Sequence, residues 1–267
     1  MVWKLVFQSM LMLLMFELAA APPPPPIAKP GCRDRCGDIS IPYPFGIGNN
    51  CYMNESFSIE CNKTGAFISA INMEVLNISA ERAAATVKGP IISSNCSGRE
   101  NGVPLNLSET PFVFSYYYNV FVAVGCNTQA LMSGTRQTLV GCVSPCSDVE
   151  SKNFCRAYPS SLLQVFNPKL EATDDREGCK LAFLVNETWF ESNISDPFTV
   201  QHRDYVPTEL VWMMDLNRFI DDQSFYCRSR YQNGSFGSEC VCNGGYEGYP
   251  YLGCKGKHIY IFLQKYE

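Results

Sequence analysis

The sequence predicts a mainly β fold made of small disulfide-rich extracellular domains, and three observations carry that expectation. The first is cysteine: 14 thiols in 267 residues, an even number that suits full pairing in an oxidising compartment. The second is the N-terminus. Lys4 precedes an apolar run from Leu5 to Phe16 and the small residues Ala19, Ala20 and Ala21, the layout of a secretory signal peptide over residues 1–21. The third is punctuation: from Cys32 onward Gly, Pro, Asn or Cys interrupts the chain every few residues, which suits short strands and leaves long helices little room.

Pro22 to Pro26 have fixed φ and no amide donor, so residues 22–30 read as a stiff spacer rising about 3.1 Å per residue. Ile71, Met73 and Val75 alternate with Asn72 and Glu74, the period of a half-buried strand. Ser79 to Thr86 is alanine-rich and fits strand or helix. Phe112-Val113-Phe114 and Val120 to Val124 are β-branched and aromatic runs bounded by Pro111, Asn119 and Gly125, and Lys180 to Val185 and Thr188-Trp189-Phe190 read the same way. Thr208 to Ile220, with Leu210, Val211, Met214 and Phe219, suggests one short helix. Cysteine spacing marks three blocks, from Cys32 to about Cys126, from Cys142 to about Phe225, and from Cys227 to Cys254.

Composition excludes several function classes. Hydrophobic residues at 46% and aromatics at 13% are too many for a disordered chain, and a net charge of -5 lacks the basic excess of a nucleic-acid binder. After the leader no apolar run approaches the roughly 18 residues of a membrane span; Ile259 to Leu263 is far shorter. Catalysis has little to work with. The two histidines are His202 and His258, and the carboxylate pairs Asp174-Asp175 and Asp221-Asp222 are adjacent residues that point apart in turn-like surroundings. So few histidines on an oxidising route also argue against a metal site, and no cofactor motif is present. Asn54, Asn77, Asn106, Asn186, Asn193 and Asn233 are expected glycan acceptors; Asn62 and Asn95 also fit the Asn-X-Ser/Thr pattern but sit beside cysteines.

The first block opens with Cys32, Cys36-Gly37-Asp38, Ile41-Pro-Tyr-Pro-Phe-Gly-Ile-Gly48, Cys51 and Phe57-Ser-Ile-Glu-Cys61. Its prolines hold Ile41 and Tyr43 extended, and Gly46 and Gly48 permit turns that larger residues resist. Gly46-Ile47-Gly48 has neither the third glycine nor the helix of a phosphate loop. Phe112-Val-Phe-Ser115, Asn119 with Phe121, Val124-Gly-Cys126, Gly141-Cys-Val-Ser-Pro-Cys146, Cys179-Lys-Leu-Ala-Phe183 and Trp189-Phe190 follow in order. In this combination the chain resembles the ectodomain of plant wall-associated receptor kinases. The resemblance covers nearly all of the secreted part and implies a cell-wall-facing, pectin-binding ectodomain, with a galacturonan-binding-like domain over 31–135 and a middle ectodomain region over 136–225.

Cys227, Cys240-Val-Cys242, Gly245-Tyr-Glu-Gly248 and Cys254 resemble the C-terminal half of an EGF-like module at 226–256, which implies a Cys242–Cys254 bridge and suggests Cys227–Cys240. The chain also departs from the family pattern. Cys155 stands alone where a Cys-x-x-x-Cys-Cys stretch is usual, so one bridge is expected to be missing, and residues 257–267 form a divergent tail without the acidic ligands of a calcium-binding module. With no span or kinase motif after Cys254, the sequence reads as a truncated, spliced or diverged ectodomain.

Pectin is a polyanion, so the candidate contacts are Arg33, Arg35, Lys63, Arg82, Lys88 and Arg99, set in a stretch from Lys29 to Glu150 that carries eight basic and ten acidic residues, a balance of -2. Capture of pectin or oligogalacturonides therefore requires a local patch. Tyr116-Tyr117-Tyr118 offers either rings for sugar stacking or a strand edge. Two classes of function stay open: a non-catalytic polysaccharide-binding ectodomain of the cell wall, and a secreted module that binds a peptide or a full-length receptor as decoy or co-receptor.

Overall fold

The protein is represented by a computed structural model that describes residues 3–4, 6–8, 10, 25–133, 138–146, 153–160, 163–172, 178–213, 223–229 and 238–256. Most of residues 1–21, read above as a leader, and Pro22 to Pro24, Asp174-Asp175, Asp221-Asp222, Asn233, His258 and residues 257–267 lie outside the described residues. The fold is mainly β. All 14 cysteines are paired in seven disulfides: 32–51, 36–61, 96–179, 126–146, 142–155, 227–240 and 242–254. Cys155, which stands alone in the sequence, thus closes on Cys142.

The larger sheet has six strands in the order Ile59–Cys61, Ala66–Ile68, Met73–Ser79, Ala84–Gly89, Val206–Trp212 and Phe112–Phe114. Its first four strands are a meander, so the 62–65 and 80–83 turns project from the same end. The alanine-rich Ser79 to Thr86 segment is this second turn with the strand ends that flank it, and Asn72 and Ala83 turn the chain at positive φ. The smaller sheet runs Phe154–Ala157, Asn119–Val124, Lys180–Asn186, Ile91–Ser94.

The two sheets share one core. Phe121, Ala123, Ala182 and Leu184 of the smaller sheet pack with Ile68, Val75, Val87 and Leu210 of the larger. The opposite face of the smaller sheet, Val120, Val122, Val124, Leu181, Phe183 and Val185, is covered by Phe190, Ile194 and Val200. Burial on both faces is why these two central strands read as unbroken apolar runs. Strands from early and late sequence are interleaved in both sheets, and the Cys96–Cys179 bridge, 83 residues apart in sequence, closes the longest loop.

Two expectations are corrected. Thr208 to Ile220 does not begin as a helix: Val206–Trp212 is a strand buried along its whole length between Ala84–Gly89 and Phe112–Phe114, and residues 214–220 lie outside the described set. Pro207, Thr208 and Glu209 are buried along with the apolar residues, so the sequence here shows neither the alternation of a half-buried strand nor an unbroken apolar run. Thr188-Trp189-Phe190 is not a strand but belongs to the helix Glu187–Asn193, because the Asn186 side chain caps it by accepting from the Trp189 amide at 2.8 Å.

The Ile41 to Gly48 motif is a core element. Phe45 is fully buried, with ring centroids 5.1 Å from Trp212, 5.2 Å from Phe57 and 5.9 Å from Phe112. Gly46 is required by a close approach, since a Cβ there would collide with the Cys51 carbonyl, whereas Gly48 turns the chain at φ 88°. The C-terminal hairpins, Phe225–Ser229 with Ser238–Cys242 and Tyr246–Tyr249 with Gly253–Gly256, dock on this region. The Tyr249 hydroxyl donates to the Tyr43 carbonyl, the Tyr251 hydroxyl donates to the Ala80 carbonyl at 3.5 Å, and Phe225, Cys240 and Tyr251 pack with Tyr43 and Ala80.

Candidate functional site

The six basic candidates separate into two groups. Arg33, Arg35 and Lys63 gather around the Cys36–Cys61 disulfide. Arg35 and Cys36 pair with Ile39 and Ser40 in a short antiparallel ladder, and Arg33 bridges to Ile47. The Arg33 guanidinium lies 3.7 Å from Cys61 Sγ and 3.5 Å from the Arg35 carbonyl. The Arg35 guanidinium donates to Ser40 Oγ at 3.2 Å and to the Asp38 carbonyl at 2.9 Å. Lys63 stands on the 62–65 turn, which Asn62 Oδ1 holds by accepting from the Thr64 and Gly65 amides at 2.9 and 3.1 Å. All three side chains are exposed, and none takes part in the ion pairs found among the described residues.

The other three cations are committed within the fold. Arg82 Nη2 lies 3.7 Å from Oε1 of Glu209, a carboxylate only 2% exposed that also accepts from Thr86 Oγ1 at 3.0 Å and Asn186 Nδ2 at 3.1 Å. Lys88 Nζ pairs with Glu74 Oε2 at 2.6 Å and sits over the Tyr205 ring. Arg99 Nη1 donates to the Gln201 and Arg203 carbonyls at 3.0 and 2.6 Å and helps to line an open cleft of about 1030 Å³. His202 lines the same cleft, its Nε2 3.1 Å from Gln201 Nε2.

Tyr116 to Tyr118 form a turn rather than a strand edge, because the Ser115 hydroxyl accepts from the Tyr117 and Tyr118 amides at 3.2 and 3.1 Å. Lys29 escaped the sequence reading: its ammonium donates to the Asn50 and Tyr52 carbonyls and lies 4.9 Å from the centre of the Tyr43 ring. Of the sequons, Asn54, Asn77, Asn106 and Asn193 are exposed, as are Asn62 and Asn95. Asn186 is half-buried and both ends of its amide are engaged, one by Trp189 and one by Glu209.

Comparison with known proteins places these residues. The family model "Wall-associated receptor kinase galacturonan-binding" matches residues 32–88, and "Wall-associated kinase" matches 149–220; both are ectodomain-type models. Five of the six basic candidates, Arg33, Arg35, Lys63, Arg82 and Lys88, fall inside the first match and Arg99 lies outside it, so it is exposure and freedom from ion pairs that set Arg33, Arg35 and Lys63 apart. Wall-associated receptor kinase-like 6 of Arabidopsis thaliana is 33% identical over 84% of this chain and 44% of its own length. Wall-associated receptor kinase-like 3 from the same plant is 33% identical over 94% of the chain and 42% of its own length, and wall-associated receptor kinase-like 4 is 32% identical over 84% and 34%. The chain therefore spans less than half the length of these relatives. No solved structure matches. No helix among the described residues is long and apolar enough to cross a membrane. Two models in this order, and relatives matched across more than four-fifths of the chain, make the sequence that of a wall-associated receptor kinase-like ectodomain.

Proposed function

We propose that this chain is a non-catalytic extracellular protein that binds de-esterified pectin or its oligogalacturonide fragments in the plant cell wall, with Arg33, Arg35 and Lys63 as the contact. The observation that carries the reading is the coincidence of an exposed, ion-pair-free basic cluster with the segment that matches the galacturonan-binding model. A guanidinium meets a carboxylate through two parallel hydrogen bonds, and a polyuronate repeats carboxylates along its length, so three cations on one disulfide-braced surface can be engaged together. The rigid base keeps the ordering cost low. The predicted leader, the exposed sequons and the seven disulfides support an extracellular setting. The comparisons lend no support to a receptor or peptide partner.

Retention of the secreted recombinant chain on immobilised polygalacturonate, across a salt gradient, tests this reading. Binding at low ionic strength that weakens steeply as the Debye length shrinks toward about 8 Å is the expected result. Absence of retention at low salt overturns the pectin reading. Retention indifferent to salt overturns its electrostatic basis.

A further inference from the structure

A second exposed surface lies where the 115–119 turn, the end of the Phe154–Ala157 strand and the start of the Glu187–Asn193 helix meet. Tyr117 and Tyr158 are each 57% exposed there, and a dedicated set of contacts holds them. The Ser115 hydroxyl that caps the tyrosine turn is itself fixed, since its amide donates to the Glu209 carbonyl at 3.0 Å and its carbonyl accepts from Asn119 Nδ2 at 2.8 Å. Tyr117 meets the Tyr118 ring edge-on at 4.9 Å, and the Arg82 guanidinium lies 5.2 Å from the centre of the Tyr118 ring. The Glu187 amide donates to the Tyr118 carbonyl at 2.9 Å, and the Tyr158 hydroxyl donates to Glu187 Oε1, which holds Tyr158 beside the turn. That bond also raises the Tyr158 pKa above its ordinary value. Arg156, on the same strand edge, pairs with Glu191 at 3.1 Å.

We propose that this surface is a second saccharide site, one that takes uncharged pyranose rings, and that it stands independently of the basic cluster. A pyranose presents a flat C–H face bordered by hydroxyls, so it needs exposed aromatic faces and, at their margin, groups that accept and donate hydrogen bonds. Tyr117 and Tyr158 supply the faces; Glu187 and Arg156 supply the margin. Charge selects the class of sugar. Both cations here already face a carboxylate, Arg82 with Glu209 and Arg156 with Glu191, so a polyuronate would meet no unmatched positive charge and would approach Glu187 and Glu191 as well. The fixed turn and the anchored Tyr158 hydroxyl leave little rotamer freedom to lose on binding, which favours a shallow site of this kind. Two sources would offer the same chemistry, a fully methyl-esterified homogalacturonan and a neutral galactan.

The experiment is calorimetric titration of the full secreted chain with three probes: a methyl-esterified galacturonan oligomer, a neutral galactan oligomer and a de-esterified galacturonan oligomer. Three variants accompany it, Tyr117→Ala/Tyr158→Ala, Tyr117→Phe, and Arg33→Ala/Arg35→Ala/Lys63→Ala. At least one uncharged oligomer should bind with little salt dependence, and which one it is identifies the source. That affinity should fall about tenfold or more in the Tyr117→Ala/Tyr158→Ala chain, yet persist in Tyr117→Phe and in the triple basic variant. Failure of both uncharged oligomers to bind the unmodified chain overturns the proposal, as does binding that survives loss of both rings. If the double variant fails to fold, Tyr117→Trp decides, since a larger ring should strengthen binding and an unchanged affinity would contradict the site. The de-esterified probe reads the basic cluster alone, so failure of that reading shows separately.

Discussion

Glu209 takes a carboxylate into the interior, and the residues around it explain several sequence choices at once. A buried charge must be paired and hydrogen-bonded, and Arg82, Thr86 and Asn186 all meet it at Oε1, while Oε2 is buried without a hydrogen-bond partner. Asn186 is therefore a structural residue although it satisfies a glycosylation pattern. Peptide mapping after enzymatic deglycosylation in heavy water should find Asn186 unmodified; a glycan on it would contradict this assignment. Asn186→Gln should cost about 1–3 kcal/mol in denaturant unfolding, from the lost helix cap and the loosened partner of Glu209. An unchanged midpoint would contradict that role. Gly46 gives a second residue-scale prediction. Gly46→Ala forces a methyl against the Cys51 carbonyl, so stability should fall by about 1–3 kcal/mol or the Cys32–Cys51 bridge should form incompletely, read by denaturant unfolding and by non-reducing mass mapping. Full stability with native bridging would refute it.

Among the elements, those with uninterrupted β-branched and aromatic runs were the legible ones. Lys180 to Val185, Phe112 to Phe114 and Val120 to Val124 were readable as strands because β-branched and aromatic runs between turn residues have few other uses. Val206–Trp212, just as buried, was not, since Pro207, Thr208 and Glu209 interrupt its run of strand-forming residues, and the Glu187–Asn193 helix was hidden because its start depends on one Asn cap inside a run of strand-like residues. Of the six basic candidates, residue type alone could not separate the exposed trio from the committed one. Neutralisation of Arg82 and Lys88 comes from Glu209 and Glu74, 127 and 14 positions away in the sequence, and only folding brings those partners close. The C-terminal hairpins add a pH-dependent contact. Burial, and then the neighbouring Tyr251, raise the Tyr249 pKa far above its unfolded value, so the stability it contributes is fully present below about pH 10 and declines as the pH climbs from there toward the raised folded-state value. Tyr249→Phe should lower stability at neutral pH by about 1 kcal/mol and flatten the alkaline loss in urea midpoints measured from pH 8 upward. An identical alkaline slope in the variant would exclude Tyr249 as the cause.

For the whole molecule, the charge arithmetic and the fold lead to one account. A chain with net charge -5 is a poor general host for a polyanion, so binding must come from a place where cations are exposed and not cancelled. The two sheets share one core, the Cys96–Cys179 bridge ties neighbouring strands of the smaller one, and the basic cluster sits at the Cys36–Cys61 end, beside the Ile59–Cys61 strand of the larger. The C-terminal hairpins are fastened to Tyr43 and Ala80. Arg33, Arg35 and Lys63, not the remaining basic candidates, are the proposed pectin contact. Side-by-side elution of the unmodified chain, Arg33→Ala/Arg35→Ala/Lys63→Ala and Lys88→Ala from polygalacturonate measures it most directly. The triple variant should elute at or near the lowest salt while Lys88→Ala elutes with the unmodified chain; equal elution of all three, or early elution of Lys88→Ala alone, would contradict the assignment.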